Sequence, residues 1–173
     1  MIDALKEGLL EKSTYLSKSQ RNLLEEAINF AEMAHQGQKR ATGEPYITHP
    51  IAVCAILLDY QADSTSLVSA LLHDVVEDTD VSISEIEQRF GKQVSNIVEG
   101  LTKVEKGKLT KDEYSAINTE KLLSAAVKDI RVAVVKIADR LHNMRTLAVK
   151  KIEKKAPYAN ETLIFFSPLA ERL

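Results

Sequence analysis

Apolar side chains recur at three- and four-residue steps along almost the whole chain, the spacing that lines one face of a helix. Leu5, Leu9 and Leu10 make a short amphipathic start. Ser17-Lys18-Ser19-Gln20 then forms a capping signal ahead of Leu23, Leu24, Ala27, Ile28, Ala31 and Ala34, and this second helix is expected to end near His35-Gln36-Gly37. A loop punctuated by Gly43 and Pro45 follows, locally basic at Lys39-Arg40. Thr48 is placed to cap a third helix with Pro50 in its first turn, running to about Tyr60. The pattern predicts one helix over 64–78 and two shorter ones over 80–90 and 92–101, parted by Gly91. Residues 102–111 carry Lys103, Lys106, Lys108, Lys111 and Gly107 with little apolar content, and are expected to form a mobile exposed loop. Helical spacing returns over 112–128 with Tyr114, Ile117, Leu122 and Leu123. The run from Ile130 to Met144 opens with β-branched residues, but its length favours a buried helix over a strand. A last helix is expected over 159–173, carrying Leu163, Ile164, Phe165 and Phe166. The expectation is an all-α fold, a single domain over 1–173.

Composition narrows the function. The 173 residues are 45% hydrophobic and 28% charged, enough for a sizeable core under a solvated surface. A net charge of −2 lacks the basic footprint of a nucleic-acid polymer binder, while a small anionic ligand needs only a local basic patch. Cys54, the single cysteine, lies in the apolar run 51–58, so it is expected in the core; an intramolecular disulfide and a cysteine-only zinc site are excluded. The first residues have no basic stretch followed by an apolar core, and no apolar run is long enough to span a bilayer. A cytoplasmic protein is expected.

Chemistry concentrates in Leu72-His73-Asp74-Val75-Val76-Glu77-Asp78-Thr79. On a helix, His73 and Glu77, like Asp74 and Asp78, would share a face. Acids packed this closely around an imidazole repel one another unless a cation or shared protons offset the charge. His49 opens the preceding helix, and Asp139 follows the apolar run Val132-Ala133-Val134-Val135, in a helix expected to be buried, where a carboxylate needs compensation. A cation shared with His49, His73 and Asp74 would supply it; a salt bridge from Lys136 or Arg140 would do so equally well. Two His and two Asp form a hard N/O donor set that suits Mn²⁺ or a similar ion. Beside such an ion, Glu77 and Asp78 could take a water's proton and orient the water or protonate a leaving group. Lys136, Asn143 and Thr146 fall near the Asp139 face and could meet an anionic substrate.

Several segments together carry a resemblance: Gly43-Glu44-Pro45-Tyr46-Ile47-Thr48-His49-Pro50; Leu72 to Thr79; Asp129-Ile130-Arg131-Val132; the run Lys136 to Leu147; and Pro168-Leu169-Ala170-Glu171-Arg172-Leu173. In this order the chain resembles the hydrolase domain of the RelA/SpoT homologue family, a branch of the HD-domain metallophosphohydrolases. The resemblance implies removal of the 3′-pyrophosphate of guanosine tetra- and pentaphosphate, signals of the stringent response, to leave GDP or GTP and pyrophosphate. It implies Mn²⁺ held by His49, His73, Asp74 and Asp139, and Glu77 and Asp78 as the acidic pair acting on water. Arg40 matches the residue packed on the guanine base, Asn143 and Thr146 lie at the ribose and 3′-phosphates, and Thr42 and Tyr46 complete the substrate-binding set. His35 and His142 are read as helix-end residues or as residues behind the ion ligands. In long members a synthetase domain follows the Pro168–Leu173 segment, so a C-terminal synthetase partner is expected if the parent is a long enzyme.

The chain departs from the family pattern at Ala41-Thr42, where Lys-Ser is usual, and at Ile117 and Glu120 around Asn118. Two alternatives stand beside alarmone hydrolysis: removal of the 2′-phosphate of NADPH, associated with small metazoan relatives, and a silent nucleotide-binding regulatory module. The Asp-Ile-Arg-Val and Arg-Leu-His-Asn segments favour the alarmone, and the intact Glu77-Asp78 pair speaks against silence.

Overall fold

A computed structural model describes residues 1–146 and 152–172, without the side chains of 152–155, 163 and 164. Leu147, Leu173 and the side chains of Leu163 and Ile164, which figured in the expectations above, lie outside the described residues. Among the described residues, eleven α-helices and one π-helical turn follow in order: α1 (Ile2–Lys12), α2 (Lys18–Ala34), α3 (Thr48–Asp59), α4 (Ser64–Leu72), α5 (Val75–Asp78), α6 (Ile83–Phe90), α7 (Lys92–Leu101), α8 (Lys111–Lys128), α9 (Arg131–Arg145), α10 (Ile152–Glu161), the π turn (Thr162–Phe166) and α11 (Ser167–Glu171). No strand occurs among the described residues; an isolated antiparallel bridge, Lys39 to Pro45, closes the basic loop. The all-α expectation is met.

Local chemistry explains most boundaries. The Ser17 hydroxyl accepts from the Gln20 amide while the Gln20 side chain accepts from the Ser17 amide, and Thr110 and Glu113 repeat this reciprocal cap at α8. Asp63 caps α4 and Ser82 caps α6. Gly91, at φ +93°, makes the turn between α6 and α7 that L side chains rarely adopt.

Four expectations are corrected. Thr48 is the first helical residue rather than the cap; its hydroxyl donates back to the Pro45 carbonyl at 2.8 Å. The helix expected over 64–78 breaks at His73-Asp74. The Ala70 carbonyl, whose helical partner would be the Asp74 amide, accepts instead from His73 Nδ1 at 2.6 Å. The lysine-rich segment is irregular, but its first residues are tied down: the Lys103 amide donates to Glu77, the Val104 amide to Asn118, and Lys121 Nζ to the Thr102 carbonyl. The last helix begins upstream of 159, at Ile152, and is interrupted by the π turn before Pro168.

The core forms where α3 and α4 meet α1, α2, α7 and α9. Leu24, Ile28, Val53, Leu67, Leu71, Leu72, Val75 and Val135 are wholly buried, each such side chain contributing roughly 1.5–3 kcal/mol of transfer free energy. Cys54 is buried among them, as expected. α9 uses both faces. Val134, Ile137, Leu141 and Met144 line an apolar cavity of about 630 Å³ beneath the π turn and α11. Lys136, Asp139, His142 and Asn143 fall on the other side, toward α3 and the α4–α5 break.

Candidate metal and nucleotide site

Three backbone features bring the donors together. Pro50 and the apolar face of α3 place His49 one residue into that helix, 1% exposed. The α4–α5 break presents His73 and Asp74 side by side. α9 carries Asp139 into the same space, 7% exposed. The His49 and His73 nitrogens and an Asp74 oxygen lie within 4.8 Å of one another, a group able to hold a metal ion. Asp139 Oδ1 lies against both imidazoles of this group, 2.8 Å from His49 Nε2 and 3.3 Å from His73 Nε2, while Asp74 Oδ2 is 3.0 Å from His73 Nε2 and 3.8 Å from His49 Nε2. Donors sharing one first-row ion, with bonds of about 2.0–2.2 Å, sit at such separations.

The electrostatics fit a cation. Burial opposes the charge on Asp74 and Asp139, yet both carboxyls are held below the usual range, Asp74 by His73 and Asp139 by Lys136, His49 and His73. Burial alone would lower His73; Asp74 and Asp139 override it and push the imidazole well up. His49 is lowered, chiefly by burial. Two carboxylates therefore face two imidazoles around one point, and positive charge is what stabilises them there. His73 Nδ1, bonded to the Ala70 carbonyl, must carry hydrogen, so its Nε2 is the atom left for a ligand role. Of the two compensations foreseen for Asp139, the salt bridge is present: Lys136 Nζ donates to Oδ2 at 3.2 Å, while Oδ1 faces His49 and His73. Arg140 does not join; it pairs with Glu161 and lies between the Tyr158 and Phe166 rings.

Around this centre stand the other expected residues. Glu77 and Asp78 are exposed at the rim, one turn beyond Asp74. The Lys103 amide donates to Glu77 Oε1 at 2.5 Å. Partial burial, then the charges of Asp74 and Glu77, raise the Asp78 carboxyl. Arg40 reaches across from the basic loop, Nη2 donating to Asn143 Oδ1 at 3.3 Å and Thr146 Oγ1 at 3.2 Å, its guanidinium 5.9 Å from the Tyr46 ring centre. Asn143 Nδ2 donates to Asp139 Oδ1, joining the basic arm to the donor cluster. Thr42 stands apart, exposed near the tip of the loop and hydrogen-bonded to Glu44.

The tertiary structure adds roles that the sequence left open. The Tyr46 hydroxyl, placed above with the substrate contacts, donates to Asp74 Oδ2 at 2.5 Å. His35 caps the end of α2, packs on the Tyr46 ring and bonds Gln38, whose amide donates to the Asp78 carbonyl. His142 Nδ1 meets His49 Nδ1 at 2.6 Å; burial, then His49 and Arg40, hold the His142 imidazole down to about 4. Gln38 carried no periodic or motif signal, because its role depends on where α5 lies. His142 had one: it is one turn from Asp139 on the same helix.

Comparison with known proteins places the chain in a family. The sequence profile of the HD domain matches residues 27–173. The bifunctional (p)ppGpp synthase/hydrolase SpoT of Escherichia coli (strain K12) is 49% identical over 161 residues, covering 92% of this chain and 23% of that protein. The GTP pyrophosphokinase rsh of Brucella melitensis is 47% identical over 152 residues, 87% of this chain and 20% of that one. A guanosine-3′,5′-bis(diphosphate) 3′-pyrophosphohydrolase of Vibrio cholerae is 43% identical over 174 residues, 100% of this chain and 24% of the relative. The chain thus spans less than a quarter of the length of these relatives. A solved structure described as a metazoan ortholog of SpoT that hydrolyzes ppGpp superposes with a TM-score of 0.69 at 34% identity, over 84% of this chain and 82% of that one. With its profile matched across most of its length and its His and Asp donors converging among helices, the chain belongs to the HD-domain family, in the branch of SpoT and its homologues.

Proposed function

We propose that this chain hydrolyses the 3′-pyrophosphate of guanosine tetra- and pentaphosphate, releasing pyrophosphate and leaving GDP or GTP. The observation that carries the reading is the grouping of His49, His73 and Asp74, with Asp139 Oδ1 against both imidazoles and Glu77 and Asp78 one turn beyond Asp74. The activities for which the SpoT relatives and the metazoan structural neighbour are named support it. Those four side chains would hold a divalent ion, with Mn²⁺ the ion their hard N/O character suits. Such an ion, when bound, lowers the pKa of water and polarises a phosphoryl oxygen.

The chain's own groups do the rest. Glu77 and Asp78 divide two tasks, taking the proton of the attacking water and orienting it. The raised Asp78 carboxyl is a stronger base than an ordinary aspartate. Arg40 stacks on the guanine, a role its flat guanidinium suits, and in doing so exchanges its bonds to Asn143 and Thr146 for nucleotide contacts. Asn143 and Thr146 then face the ribose and 3′-phosphates, and Tyr46 and Thr42 complete the proposed substrate-binding set. Lys136 holds Asp139 ionised. We place the reaction in the cytoplasm; no helix among the described residues is long and apolar enough to cross a membrane. In a long parent enzyme, residues 1–173 form the hydrolase unit beside a synthetase domain.

The test is direct. With Mn²⁺ and guanosine tetraphosphate the protein is expected to release pyrophosphate. Turnover of NADPH with none of the alarmone would replace this reading with the 2′-phosphatase one. Binding of the nucleotide without any turnover would leave the silent regulatory module.

A further inference from the structure

His49 is held at both ends of its ring: Nε2 faces Asp139 Oδ1 at 2.8 Å, and Nδ1 faces His142 Nδ1 at 2.6 Å. The two rings are tilted by 34° with centroids 4.8 Å apart, close enough for the nitrogens to meet edge to edge. Two ring nitrogens at that distance share one proton, since two N–H groups or two lone pairs would repel. Which ring donates decides what His49 offers the cluster. If His142 donates, neutral His49 keeps its hydrogen on Nε2 and gives it to Asp139. If His49 donates, its Nε2 lone pair is directed at the cluster. Only the second arrangement lets His49 act as an ion ligand. His73 has no such choice, because the Ala70 carbonyl opposite its Nδ1 can only accept.

We infer that His142 is a positioning residue: as acceptor for the His49 Nδ1 hydrogen it fixes the tautomer of His49 whose Nε2 lone pair is directed at the donor cluster, the arrangement an ion ligand needs. The inference rests on His49 being an ion ligand, as proposed above.

The experiment titrates Mn²⁺ alone, with no nucleotide, into the full chain and follows the heat. His142→Phe keeps a flat ring and removes the acceptor; His142→Asn keeps an acceptor near the Nδ1 position. Affinity is expected to fall about 10–100-fold in His142→Phe and to return to within about threefold of the parent in His142→Asn. In ¹⁵N spectra of the unsubstituted protein with Zn²⁺ bound, a diamagnetic probe, the hydrogen on His49 is expected at Nδ1. Parent-like affinity in a folded His142→Phe, or a hydrogen found at His49 Nε2 with Zn²⁺ bound, overturns the inference. Should His142→Phe fail to fold, the spectra decide. Loss of binding in His49→Ala alone, with none in His142→Phe, sinks this inference and leaves the ligand set standing. Unchanged binding in both variants removes His49 from that set and takes the inference with it.

Discussion

Asp139 is the residue whose surroundings say most. A carboxylate only 7% exposed is tolerated because Lys136, His49, His73 and Asn143 all direct positive or hydrogen-bonding groups at it. Removing it strands Lys136 and two imidazoles and takes away a proposed ion ligand. Asp139→Ala is therefore expected to lose Mn²⁺ binding together with roughly 3–5 kcal/mol of stability, the usual result of breaking a buried pair from one side. Asp139→Asn keeps the shape and loses the charge, so it should stay folded and still fail to bind the ion; stoichiometric Mn²⁺ on calorimetric titration of that variant would strike Asp139 from the ligands. Glu77 and Asp78 are exposed and touch neither imidazole in the donor set, so their substitution separates chemistry from binding. Glu77→Gln should bind ion and nucleotide as before while hydrolysis slows by roughly 10²–10⁴-fold, the range for a lost general base. A rate near the parent's would assign the work to Asp78 alone.

Among the elements, the α4–α5 break is the one that makes the site. Periodicity reads 64–78 as one amphipathic helix, because the apolar positions on either side of His73-Asp74 keep helical spacing. The interruption comes from one side chain competing for the Ala70 carbonyl, which no hydropathy pattern registers. Capping was far more legible: Ser17 with Gln20 depends on neighbours within one turn, and both reciprocal bonds are present. The approach of α8 to α7 was not legible at all. α8 has no buried residue, and at Gly100 the two helices come so close that an added Cβ would stand 2.7 Å from Ala125 Cβ. Gly100→Ala must push α8 outward, costing roughly 1–3 kcal/mol, read as a lowered melting midpoint. Because α8 carries Asn118 and Lys121, which hold the segment bonded to Glu77, the same variant is expected to lower the hydrolytic rate more than Mn²⁺ affinity.

At the scale of the whole molecule, Arg131 ties the start of α9 to Asp129 and to Asp63, the N-cap of α4, so one guanidinium sets the two site-bearing helices relative to each other. Its hydrogen bonds hold the Asp129 carboxyl below the usual range. A carboxyl lowered in the folded state stabilises fully above its ordinary value and loses that contribution as pH falls through the folded value. Asp129→Asn should therefore lower stability at neutral pH by on the order of 1 kcal/mol, the scale of a part-exposed charged hydrogen bond. The difference from the parent should shrink as the pH drops below the ordinary carboxylate value. A gap that widens in acid, in denaturant melts across pH, would refute the linkage.

Residue spacing determined the helical class, most helix spans and the reciprocal caps at Ser17 and Thr110, because each is written in neighbours a few positions apart, while segments running in a recognisable order supplied the candidate donors. What it left undecided were relations between distant elements: that Tyr46 serves Asp74, that Gln38 reaches the Asp78 carbonyl, and that His142 turns toward His49. Those depend on where α2, α3, α5 and α9 come to rest, which is fixed by the packing of their buried faces. The hydrogen bonds are then made by whichever polar groups that packing leaves opposite one another.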